Sequence, residues 1–97
     1  MPFAIMTRDK PNSSALRVQL RDAHLSYLSE RQNTMLAGGA MLDEAGLAIG
    51  GLIILDTNDR VVAENFIAGD PFQTGGLFAD VQVVPWRKTF FDSQRCV

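Results

Sequence analysis

Apolar residues along this chain fall into short runs and periodic stretches, and the polar and glycine-rich breaks between them set the element boundaries. Phe3 to Thr7 is a short apolar run, which predicts a first strand, and Asp9-Lys10-Pro11-Asn12 ends it. Ser13 or Ser14 can cap a helix that runs through Glu30, with Asn33 as a left-handed stop. Thr34 to Ala40 reads as a second strand that ends in the Gly38-Gly39 pair, and Asp43-Glu44-Ala45-Gly46 reads as a loop. Gly50 to Thr57 carries Leu52-Ile53-Ile54-Leu55, the pattern of a buried strand. Thr57 or Asn58 can cap a second helix, in which Val62 and Phe66, and Ala63 and Ile67, stand four residues apart. Gly69 ends that helix and Pro71 is expected to forbid its return. Phe78 to Pro85 alternates, with Ala79, Val81 and Val83 on one face and Phe78, Asp80, Gln82 and Val84 on the other.

The resulting order, β-α-β-β-α-β, is the split-βαβ pattern of an α+β, ferredoxin-like sandwich. It places both helices on one face of an antiparallel sheet and leaves the other face bare. In a chain of 97 residues, read as one domain, that face needs a cover. A second copy of the chain is the simplest cover, giving a two-fold homodimer. Phe78 and Val84 on the second face of the last strand, and Trp86 beyond it, are expected to serve that contact.

Composition narrows the function classes. The chain is 46% hydrophobic and 21% charged, which suits a globular domain. A formal net charge of −2 offers no broad basic field for nucleic acid. The longest apolar run, Leu47 to Leu55, is broken by two glycines and is far below a membrane span. The single cysteine, Cys96, cannot make an internal disulfide, so cytoplasm is the expected compartment. One histidine and no cysteine pair argue against zinc. No glycine pair is followed by the Lys-Ser/Thr of a phosphate loop, so neither a metal nor an organic cofactor is expected.

The first helix carries the residues that need explaining. At about 100° per residue, Leu16, Leu20, Ala23 and Tyr27 form an apolar stripe, and Gln19, Asp22, Ser26, Ser29 and Glu30 a polar pole. Arg17, Arg21 and His24 belong to neither; they lie between the stripe and Leu25 and Leu28. Arginines can snorkel over an apolar edge, and a lone histidine is commonly just packed. The functional alternative is a polar pocket between helix and sheet. There, guanidinium groups would hold an anion or carbonyl and an imidazole would move a proton. Asp70 is the best partner for His24, although an aspartate before proline also bonds its own backbone in turns. Gly38-Gly39 and Gly50-Gly51 would let backbone approach such a pocket.

These residues also carry a resemblance. Arg21-Asp22-Ala23-His24-Leu25, Leu36-Ala37-Gly38-Gly39, Asp70-Pro71-Phe72 with Gly75-Gly76-Leu77, and Val81-Gln82-Val83-Val84-Pro85-Trp86 are similar, in order and spacing, to the YciI-like (YCII) family of small bacterial proteins. The resemblance spans nearly the whole chain. It implies a single YCII-like domain over residues 1–97, assembled as a dimeric α/β-barrel of ferredoxin-like subunits. It further implies an active site in which His24 and Asp70 form a dyad. One branch of the family resembles enzymes that remove chloride from a chlorinated hydroxyquinol, and related barrels isomerise lactones or act as cofactor-free oxygenases.

The expectation is therefore a small enzyme without cofactor that performs acid–base elimination, isomerisation or hydrolysis on a small cyclic or aromatic substrate. His24 would move the proton and Asp70 would orient it. Arg21, with Arg17, Gly38, Gly39 and Phe72, would bind the substrate. The competing expectation is a non-catalytic module for small-ligand binding or dimerisation.

Overall fold

The computed structural model describes residues 1–97. The main elements are β1 (Phe3–Asp9), α1 (Ser14–Glu30), β2 (Met35–Leu42), β3 (Ala48–Leu55), α2 (Arg60–Ala68), a single-turn α3 (Pro71–Thr74) and β4 (Phe78–Pro85). A small hairpin, β5 (Phe90–Phe91) with β6 (Gln94–Arg95), follows. The four long strands form one sheet in the order β2-β3-β1-β4, with every neighbouring pair antiparallel. No helix is long and apolar enough to cross a membrane.

The core explains this arrangement. Phe3 and Ile5 from β1, Ile53 and Leu55 from β3, and Ala63, Phe66 and Ile67 from α2 are buried against one another. Strand alternation points the first four to one side of the sheet, where the apolar stripe of α2 covers them. Val62, the other expected helix position, is exposed. On the opposite side, Met6, Leu52, Val84 and Met41 remain 37–52% exposed. Ala4 and Ile54 at one end of that face are buried, but the stretch around those four side chains is uncovered.

Several local expectations need correction. The second helix is capped by Asp59, whose carboxylate accepts the Val61 N–H at 2.9 Å. Thr57 does not cap it, because its hydroxyl accepts the Asp59 N–H at 3.1 Å and so moves the helix start beyond Asn58. Asn33 is not left-handed but lies in a 3-10 turn, Gln32–Thr34. Pro71 opens α3 instead of preventing a helix, since a first-turn proline gives up no needed N–H. Phe78 belongs to the helix-covered side. A register shift between Arg8 and Asp9 turns it over, so that it packs edge-on against Phe72. It therefore cannot serve the uncovered face.

Candidate active site

No residue of α1 is fully buried, although the helix runs across the sheet. Its apolar edge packs on the α2–α3 corner and not on the strands. A methyl group on Gly75 would lie 2.6 Å from Leu20 Cδ1, and one on Gly69 would lie 2.8 Å from the Tyr27 hydroxyl. The Tyr27 hydroxyl donates to the Phe66 carbonyl at 2.7 Å, satisfying one of the acceptors that the end of α2 leaves free. Burial raises the Tyr27 pKa above the ordinary phenol value; the Arg31 guanidinium over its ring works against this, and Asp70 adds to it.

Because α1 is propped on that corner, a cavity of about 270 Å³ opens between it and the sheet. Thr7, Gly38, Gly39, Gly50 and Gly51 form much of the floor, while Arg21, His24, Leu25 and Leu28 hang from the helix. Glycines give the floor its flatness. At Gly50 the constraint is absolute, since a Cβ there would sit 2.2 Å from the Thr7 carbonyl oxygen. An apolar cavity of about 150 Å³ holds benzene, and drug-sized pockets begin near 300 Å³, so this space suits one substituted ring.

The arc of Arg17, Arg21 and His24 faces this cavity, but the three side chains are placed differently. His24 Nδ1 lies 2.8 Å from Asp70 Oδ1 and 3.0 Å from Oδ2. The Asp70 side chain is 1% exposed and that of His24 15%. Against an ionised carboxylate, which only accepts, Nδ1 is the donor, and Nε2 has no protein partner. Asp70 Oδ1 also accepts the Phe72 N–H at 2.9 Å and so caps α3. The same side chain thus touches both the backbone of the turn and the imidazole.

Arg17 is tied down. Its Nε donates to Asp9 Oδ2 at 2.7 Å, and one terminal nitrogen donates to the Gly50 carbonyl at 3.0 Å. Its guanidinium lies 4.7 Å from the Phe72 ring centre. Arg21 is exposed, lines the cavity and has no ion pair. Arg21 is thus the one arginine of the cavity without a carboxylate partner. Phe72 is 2% exposed and stacks on the His24 ring, with centroids 3.8 Å apart and planes 10° apart.

Sequence reasoning overlooked Thr7, the remaining polar side chain of the cavity. Its signal was present: Phe3, Ile5 and Thr7 share one face of a strand. It also left Asp9 as a mere breaker, whereas its side chain is 7% exposed and neutralises Arg17.

The sequence profile of the YCII-related domain matches residues 1–87. An uncharacterized protein of Haemophilus influenzae is 33% identical over 99 residues, which cover 93% of this chain and all of the relative. Protein YciI of Escherichia coli is 28% identical over 98 residues, with the same coverage. Among solved structures, 5-chloro-2-hydroxyhydroquinone dehydrochlorinase of Burkholderia phenoliruptrix, in complex with 2,5-dihydroxybenzoquinone, superposes with a TM-score of 0.83. The match is 29% identical and covers 90% of this chain and 94% of that one.

Proposed function

The chain belongs to the YCII family, and we propose that it is a small acid–base enzyme whose substrate is a single ring bearing an ionisable oxygen. The observation that carries this reading is the His24–Asp70 contact at 2.8 Å on the wall of a ring-sized cavity. Asp70 fixes the tautomer, so that Nε2 takes a proton from the substrate. Arg21 holds the negative charge that the oxygen gains when it loses that proton. The flat floor at Gly38 and Gly39 accepts a planar ring. Expelling a leaving group with its electron pair would complete an elimination. The dehydrochlorinase likeness favours that outcome over isomerisation or hydrolysis.

The subunit reads as ferredoxin-like, with the uncovered sheet face meeting its equivalent in a two-fold dimer to form an α/β-barrel. The support is the 37–52% exposure of Met6, Leu52, Val84 and Met41 on that face.

The test begins with 2,5-dihydroxybenzoquinone as a binding probe and continues with chloride release from 5-chloro-2-hydroxyhydroquinone. Saturable binding and turnover that falls about 10²–10⁴-fold in His24→Ala are expected. Full turnover in that variant would reject the mechanism. Binding without turnover of any ring offered would replace the enzyme with a ligand-binding module.

A further inference from the structure

Arg17 and His24 are seven residues apart on α1, about 10.5 Å along its axis at 1.5 Å per residue. Phe72 fills the space between them. The guanidinium lies 4.7 Å from the phenyl centre and the imidazole 3.8 Å from it, stacked within 10°. With one face under each neighbour and 2% of the residue exposed, the ring has no face left for a ligand. Arg17 is equally committed, to Asp9 and to the Gly50 carbonyl. The sequence suggests both residues as substrate contacts, and their surroundings suit a different task.

We propose that Phe72 is a positioning residue, clamped by Arg17 on one face and fixing the plane of the His24 imidazole with the other. Asp70 holds the ring at one atom, Nδ1, and on its own lets the imidazole tilt about that contact. The stacked phenyl removes that freedom. The two constraints are linked in the chain, because Phe72 donates its own N–H to Asp70. Arg17 is held in turn by β1 through Asp9 and by β3 through the Gly50 carbonyl. The plane of the imidazole is therefore referenced to the sheet that forms the cavity floor. This role rests on the reading of His24 as the proton carrier.

The chain has one histidine, so 15N labelling reports its imidazole directly. In the native protein we expect separate Nδ1 and Nε2 signals of one tautomer, with ring protons shifted upfield by the stacked phenyl. Phe72→Leu keeps the site apolar and filled. The upfield shift disappears with the phenyl in any case, so the nitrogen signals are the readout: an imidazole free to swing off Asp70 should merge them toward a tautomer average, while the backbone amide spectrum stays folded. Arg17→Met should move the same signals part of the way. A folded Phe72→Leu protein with unchanged imidazole nitrogen signals would overturn the proposal. If that variant fails to fold, Arg17→Met decides, and unchanged signals there would overturn it too. No turnover is needed, so this result and the fate of the acid–base reading are separable.

Discussion

Arg17 and Arg21 stand one turn apart on α1, yet only Arg17 has a carboxylate: its Nε lies 2.7 Å from Asp9, and Arg21 forms no ion pair. Substituting them should have opposite effects. Arg21→Gln should stay within about 0.5 kcal/mol of the native stability, because the side chain is exposed. It should weaken binding of an anionic ring far more than of its neutral analogue. Arg17→Met should cost about 3 kcal/mol, since it strands a carboxylate that is 7% exposed. Urea unfolding and ligand titration of the two variants check both statements.

Asp70 offers a second separation. Asp70→Asn keeps an oxygen that can accept the Phe72 N–H, so α3 should persist. It loses the charge that balances a protonated imidazole, and the chloride-release rate should fall at least about 100-fold. Asp70→Ala should show the same kinetic loss and a further cost of about 1 kcal/mol from the missing cap. Thermal unfolding beside the rate assay distinguishes the two.

Tyr27→Phe should cost about 1 kcal/mol, because the Phe66 carbonyl loses its donor. In a domain of this size that is a drop of about 4–8 °C in Tm. The pH dependence follows from the raised pKa of Tyr27. The folded state holds the phenolic proton more tightly than the unfolded chain does. This contribution is therefore complete below the unfolded value of about 10 and is lost as pH climbs through the higher folded value. Native stability should decline above about pH 10, and more steeply than that of Tyr27→Phe.

The cavity floor can be probed with two alanines. A Cβ on Gly39 meets nothing within 4 Å, whereas one on Gly50 would collide with the Thr7 carbonyl at 2.2 Å. Gly39→Ala should fold with near-native stability. Gly50→Ala should unfold or lose several kcal/mol, as circular dichroism and denaturant titration would show.

Leu52 projects from the uncovered sheet face and is 37% exposed. If that face joins two subunits, Leu52→Lys should yield a monomer in sedimentation equilibrium with an unchanged far-ultraviolet spectrum. A native protein that is already monomeric at micromolar concentration would count against the dimer.

The order of strands and helices was legible because the punctuation is strong. Asp9 to Asn12, Gly69 and the alternation of Val81 and Val83 mark boundaries through backbone preferences that act locally. Most of what escaped depends on contacts remote in sequence. Phe78 changes side because of a one-residue register shift against β1, and no periodicity within β4 records that shift. Asp59 displaces Thr57 as the helix cap because the two compete for neighbouring N–H groups, and either choice fits the sequence. The helical wheel set Arg17, Arg21 and His24 apart from both the apolar and the polar faces, and all three line the cavity. It could not tell a pinned arginine from a free one, because Asp9 sits on a different element. Nor could spacing alone show that residues 24 and 70 meet; that required α1 to lean on the corner built around Gly69 and Gly75.

Asp70 answers to two masters, the backbone of the turn that follows it and the ring across from it. A lineage drifting toward new substrates could trade this acid for its amide and keep the bend, but any side chain without an oxygen there would weaken the bend as well as the site. Novelty in such a scaffold is cheaper at the unpaired guanidinium and at Gly39, where a side chain can change without disturbing the frame.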